Sequence, residues 1–164
     1  RLNYQKEGAI TFKSLLNSVT VLIIIQIIYG AFSAGLNAGY YFNTFPKMGP
    51  FWIPPSILMF EGIVNNFLNN PILVQFIHRW LALAILIGVI LIWIKSKNNI
   101  QNYPLQISSL SLLSLTILQF ILGVLTLLSK VWLPYAVAHQ FSALCLISCL
   151  ICIHYFSRYI NKNQ

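Results

Sequence analysis

The stretch Ile72-Leu73-Val74-Gln75-Phe76-Ile77-His78-Arg79-Trp80-Leu81-Ala82-Leu83-Ala84-Ile85-Leu86-Ile87-Gly88-Val89-Ile90-Leu91-Ile92-Trp93-Ile94 decides the fold. It is apolar for longer than a buried helix of a soluble domain needs, and it reaches the ~20 residues that cross a hydrocarbon core. A histidine and an arginine interrupt it near its start. Three other runs match it in length: about Leu15–Ala34, Leu105–Ser129 and Pro134–Phe156. An isolated chain segment in lipid must satisfy its own backbone, so each run is expected to be a transmembrane helix.

Composition agrees. The 164 residues are 58% hydrophobic and 7% charged, with a mean hydropathy of +0.77. A soluble domain carries about 25% charged residues. The chain is therefore read as all-α: one polytopic membrane four-helix bundle over residues 1–164, with spans at 15–34, 72–94, 105–129 and 134–156. The connections are unequal. About 35 residues, Asn37–Asn70, join the first two spans, whereas Lys95–Pro104 and Lys130–Leu133 are short. Short connections make neighbouring antiparallel helices, so the expected topology is up-down-up-down.

The formal net charge of +8 is a topology signal. Arg1, Lys6, Lys13, Lys95, Lys97, Arg158 and Lys162 fall on one side, and Lys47, Arg79 and Lys130 on the other. That asymmetry places both termini in the cytoplasm or its equivalent, and the 37–70 loop outside. No basic stripe alternates with aromatic residues, so a nucleic-acid partner is not expected; membrane lipid is. The chain opens on Arg1 without a signal-peptide pattern, as an excised or processed piece would. Cys145, Cys149 and Cys152 follow helical spacing on the last span and read as a packed face.

The outer loop carries Tyr40, Tyr41, Phe42, Phe45, Phe51 and Trp52 among Pro46, Pro50, Pro54 and Pro55. Two expectations stand for it: an interfacial aromatic belt, or a lid over an outward-facing site, since loops this long are usually functional.

The chemistry lies in a repeat. The first span contains Gln26-Ile27-Ile28-Tyr29-Gly30 and the third Gln119-Phe120-Ile121-Leu122-Gly123. The second contains His78-Arg79-Trp80-Leu81-Ala82 and the fourth His139-Gln140-Phe141-Ser142-Ala143. Each pair of spans thus reads Gln-x-x-x-Gly, then His-x-aromatic-x-Ala, as two helical hairpins related by a pseudo-twofold axis would. At ~1.5 Å rise per residue, each histidine lies roughly 8–10 Å into its helix from the same face.

Ionisable residues inside a bilayer are costly and usually functional. Four roles compete for His78 and His139. A hydrogen bond to a neighbouring helix is worth only about 0.6 kcal/mol on average in membranes. A proton relay usually adds Asp or Glu, and the two acids here, Glu7 and Glu61, lie outside the spans. Zinc or copper wants further ligands, and Cys145 and Cys149 sit one and two turns too deep. Bis-imidazole haem needs only two protein ligands and an apolar slot. Ala82, Ala138 and Ala143 would leave room for its ring. Arg79 suits a propionate, or else snorkels to headgroups. His154 lies roughly 22 Å from His139 along the helix and belongs to the interface.

Several segments resemble haem A synthase. Gly30-Ala31-Phe32-Ser33-Ala34-Gly35-Leu36-Asn37-Ala38-Gly39 and Tyr41-Phe42-Asn43-Thr44-Phe45-Pro46-Lys47-Met48 resemble the segment after that family's fifth helix. Asn70-Pro71 with Val74-Gln75-Phe76-Ile77-His78-Arg79 resembles its sixth. Gln119–Leu128 and Ala138-His139-Gln140 resemble its seventh and eighth. The likeness covers essentially the whole chain, in order, and implies the C-terminal four-helix half of an eight-helix oxidoreductase of haem A biosynthesis for cytochrome oxidase. It implies that His78 and His139 are axial ligands of a haem b, and that haem O is oxidised from methyl to formyl in the other half. There the family has a glutamate three residues before its first histidine; Gln75 stands at the matching place here. The family often has Asp where Asn37 stands, and Met-Asp-Gly where this chain has Met48-Gly49-Pro50. Expected partners are haem O in the other half, and a haem O synthase or a second copy of the chain. The alternatives are a stand-alone b-type cytochrome and a membrane protein without haem.

Overall fold

The computed structural model describes residues 2–97 and 102–158, with side chains from residue 11 onward. Arg1 and Lys162, counted in the charge asymmetry, lie outside these residues, as do the side chains of Lys6 and Glu7. The chain is all-helical: α1 (Leu2–Gly35), α2 (Ile63–Asn69), α3 (Pro71–Lys97), α4 (Tyr103–Leu128) and α5 (Leu133–Ser157), with short 3-10 turns at Ala38–Tyr40 and Pro55–Leu58. Four of them are long and apolar enough to cross a membrane: Thr11–Gly35 within α1, then α3, α4 and α5. The expected spans fall inside these helices, except that the third ends on Ser129, the residue capping α4. Two features go beyond expectation. α1 begins well before its apolar run, and the long loop contains the two-turn helix α2.

Local chemistry sets the helix ends. Asn70 is fully buried and caps α3, its side-chain oxygen accepting from the amides of Ile72 (3.0 Å) and Leu73 (3.3 Å). Pro71 follows at the first helical position, where its missing N–H costs nothing. The amide nitrogen of Asn70 donates to the carbonyls of Ser56 and Ile57, fastening the loop to the helix start. Asn102 caps α4 by accepting from Leu105 N at 3.1 Å. α4 ends in a tight turn in which Lys130 and Val131 have φ of 56° and 61°. Val131 N closes it on the Thr126 carbonyl at 2.8 Å. A β-branched residue at positive φ is strained, and that bond helps hold it.

α1 packs on α3, α3 on α4 and α4 on α5, while α1 meets α5 more lightly. The buried core lies away from the loop. It combines Phe12, Leu16, Val19 and Ile23 with Ile85, Val89, Ile92, Leu105, Leu112, Leu146, Leu150 and Ile153. The α1 members recur at intervals of three and four, one stripe of a helix. At Gly88 a Cβ would come within 2.6 Å of Val19 Cγ2, so the glycine permits the close approach of α1 and α3.

Candidate functional site

Toward the loop end the apolar core gives way to two copies of one arrangement. In the first, Gln26 of α1 reaches His78 of α3. Its amide nitrogen donates to the His78 carbonyl at 3.1 Å and lies 3.4 Å from His78 Nε2. One turn on, Gly30 faces the same ring: a Cβ there would lie 3.3 Å from His78 Cε1. In the second, Gln119 of α4 reaches His139 of α5, amide nitrogen to Nε2 at 3.3 Å. A Cβ on Gly123 would lie 3.0 Å from His139 Cε1. The Gln-x-x-x-Gly repeat is thus a cradle: glutamine touches the imidazole edge, and glycine clears the space its ring occupies.

The hydrogen bonds fix the tautomer of His139. Its Nδ1 lies 3.1 Å from the Gln119 main-chain carbonyl, which can only accept, so Nδ1 carries the proton. In the neutral ring Nε2 is then a lone pair, and Gln119 must offer it an N–H. Ser142 Oγ lies against the other end of that amide, with its one proton shared between Gln119 Oε1 and the His139 carbonyl at 3.0 Å. At His78 the Gln26 amide nitrogen is placed by the main-chain carbonyl and again turns a donor toward Nε2. Both imidazoles therefore keep Nε2 as an acceptor.

Unsatisfied groups cluster here. Gln26 Oε1, Ser33 Oγ, Gln75 Oε1, His78 Nδ1 and Arg79 Nε are buried without a hydrogen-bond partner among the described residues. All belong to the loop ends of α1 and α3. An orphaned buried polar atom costs about 1–3 kcal/mol, and five in one region are characteristic of a site rather than of a packing core. Ala82, Ala138 and Ala143 are half-buried.

Arg79 takes a place that the sequence did not show. Its guanidinium donates to three loop carbonyls: Thr44 at 2.7 Å, Phe42 at 2.7 Å and Lys47 at 3.3 Å. Gln75, one turn earlier, donates to the same Phe42 carbonyl at 3.1 Å. The Gln75 amide nitrogen thus helps the Arg79 guanidinium hold the loop. Asn43 extends the fastening to α4, donating to the carbonyls of Leu127 (3.1 Å) and Gly39. Phe45 packs edge-on against Phe120 at 5.8 Å.

The loop does two jobs by segment. Its first part covers the bundle end, burying Ala38 and Met48, while Trp52, Ile53, Leu58, Ile63 and Val64 stand exposed.

His154 is well removed from the cradles and lies 2.8 Å from Thr20 Oγ1, joining α5 to α1. Cys149 donates to the Ser108 carbonyl at 3.4 Å and Cys145 is half-buried. Cys152 is exposed, so the cysteines do not form the single packed face their spacing suggests. No three His, Cys, Asp or Glu residues come together as a metal cluster among the described residues.

A family model described as cytochrome oxidase assembly protein, COX15-CtaA, matches residues 3–151. The chain belongs to that family. Among curated relatives, the COX15-CtaA chain is 41% identical over 145 residues to a heme A synthase of Wolbachia pipientis wMel, covering 88% of this chain and 39% of that protein. It is 38% identical over 146 residues to a heme A synthase of a Wolbachia from Brugia malayi, covering 89% of this chain and 41% of that protein. It is 37% identical over 127 residues to heme A synthase COX15 of Mus musculus, covering 77% of this chain and 31% of that protein. The chain thus spans about two fifths of the length of these bacterial relatives and less of the mouse one. No solved structure matches it significantly. With its four apolar helices and these relatives, this COX15-CtaA chain is an integral multi-pass protein of the bacterial cell membrane or mitochondrial inner membrane.

Proposed function

We propose that the chain is the haem-b-holding, C-terminal half of a haem A synthase, a single four-helix domain over residues 1–164. The observation that carries this reading is the doubled cradle, in which His78 and His139 each turn an unprotonated Nε2 toward a glutamine amide. Two neutral imidazole nitrogens are what bis-histidine haem asks of a protein, and the orphaned polar atoms around His78 support a bound group there. When held, a haem b supplies a one-electron redox centre.

The chain's own residues have separable roles in this reading. His78 and His139 are the iron ligands, Gly30 and Gly123 leave room for their rings, and the carbonyl of Gln119 orients His139. Such a carbonyl partner on the second ring nitrogen fixes a ligating histidine. Arg79 straps the loop over the site, and its unpartnered Nε is placed to add a hydrogen bond to a propionate. The helices run up-down-up-down with both termini cytoplasmic, so the site lies toward the outer face.

The methyl-to-formyl oxidation of haem O is assigned to the other half of the enzyme. Gln75 supports this division, since an amide is neither acid nor base. Haem O synthase or self-association is the protein contact that such an enzyme would have. The test is an absorbance and EPR spectrum of the purified chain. A low-spin bis-imidazole signal is expected, lost or converted to high spin in His78→Ala and His139→Ala. A spectrum unchanged in both variants would contradict the assignment.

A further inference from the structure

The repeat places an amide donor on the same ring atom twice, and an imidazole Nε2 cannot both accept a hydrogen bond from glutamine and bind a metal. We infer that Gln26 and Gln119 are positioning residues that act as placeholders. They donate to Nε2 of His78 and His139, keep each ring in its Nδ1–H tautomer, and would yield that lone pair to an iron held between the rings. The inference rests on the haem reading for its last step and on the hydrogen-bond geometry for the rest.

The geometry is consistent at each point. Gln26 and Gln119 occupy matching positions on α1 and α4, and each approaches Nε2, at 3.4 Å and 3.3 Å, rather than Nδ1. Each amide's orientation is set by a second contact: the His78 main-chain carbonyl needs the Gln26 NH2, and the Gln119 carbonyl on His139 Nδ1 leaves Nε2 as an acceptor that needs the Gln119 NH2. No chain rearrangement is needed for release, because a glutamine side chain leaves by rotating about its own bonds. The two cradles differ in one respect. His139 has a second tautomer lock, the Gln119 main-chain carbonyl on Nδ1. The Nδ1 of His78 has no partner among the described residues. Gln26 is thus the lock on His78, whereas His139 retains its tautomer if the Gln119 side chain is lost.

That asymmetry makes the test specific. Long-range 1H–15N spectra of the histidine side chains are recorded on the haem-free full chain in detergent, with His78→Ala and His139→Ala giving the assignments. The wild-type chain should show protons on Nδ1 and none on Nε2 for both rings. Gln26→Leu should let His78 populate both tautomers, and Gln119→Leu should leave His139 in one. A purely structural glutamine would not give this split.

Titration with ferric haem reads the second half. Gln119→Leu removes a competitor without unlocking the ring, so haem should bind about two- to tenfold tighter, the range of one net hydrogen bond. Protonated Nε2 in the wild-type chain would overturn the proposal, as would weaker haem binding by a Gln119→Leu chain whose spectrum shows it folded. If the wild-type chain takes up no haem, the proposed function fails; the tautomer spectra still decide whether the glutamines hold the rings as described.

Discussion

His139 Nδ1 sits 3.1 Å from the main-chain carbonyl of Gln119, so one residue of α4 grips the ring twice, by its backbone at Nδ1 and by its side chain at Nε2. A helix carbonyl has a spare lone pair beyond its intrahelical bond, and Gly123 keeps the next turn free of a side chain that would push the ring off it. The relationship explains why glutamine and glycine stand four apart: they line one face of the helix.

Alanine at the two glycines should therefore act on the rings more than on the helices. Gly123→Ala brings a Cβ within 3.0 Å of His139 Cε1, and Gly30→Ala one within 3.3 Å of His78 Cε1. Gly-to-Ala in a helix interior favours the helix by about 0.5–1 kcal/mol. Haem content after purification should fall in both variants, further in Gly123→Ala, with thermal stability of the haem-free protein changed by no more than a few degrees. Full haem content in Gly123→Ala would show that the cradle does not hold the ring.

Arg79→Lys should release the loop. A lysine cannot fork to the carbonyls of Phe42, Thr44 and Lys47 as the guanidinium does. Hydrogen bonds from a charged group are worth about 1.5–3 kcal/mol each at most. Labelling of a cysteine placed at Thr44 should accelerate by about tenfold or more, with the helical content unchanged. Equal rates would mean that the loop is held by its apolar contacts alone.

Sidedness follows from the charges. A cysteine at Lys47 should react with a membrane-impermeant reagent from outside, and one at Lys97 only after permeabilisation. Lys97 stacks on Trp93 at 3.9 Å and Lys47 lies over Trp52 at 5.5 Å, an arrangement suited to the two interfaces. External labelling at Lys97 would invert the orientation and move the histidines to the cytoplasmic face.

Much of this architecture is legible in the sequence. Four apolar runs of spanning length gave the helices, and the spacing of Gln26, Gly30, Gln119 and Gly123 gave the internal symmetry. What the repeat meant was not legible, because the pairing of α1 with α3 and of α4 with α5 places the glutamine on the histidine, and no single helix contains both. The strap was missed for a similar reason. Arg79 next to His78 invites pairing with a ligand's acid, yet its partners are main-chain carbonyls about 35 residues earlier in the chain, and a carbonyl is present at every residue. The polar start of α1 lacks the apolar pattern that marked the spans, so the helix appeared shorter in sequence than it is.

The proposed division of labour makes a prediction at Gln75. The chain on its own should bind haem yet form no haem A from haem O in a host that makes it, with haems extracted and separated by chromatography. In the full-length enzyme, Gln75→Ala should lower haem A formation less than loss of the matching glutamate in the other half, since Gln75 contributes one hydrogen bond to the loop. Haem A made by this chain alone would show it to be a complete enzyme.

The most direct measurement is the EPR and absorbance spectrum of the chain purified with haem, compared with His78→Ala and His139→Ala. The account predicts a low-spin bis-imidazole signal in the parent chain and its loss, or conversion to high spin, in each variant. A low-spin spectrum that survives both substitutions would place the haem on other ligands and contradict it.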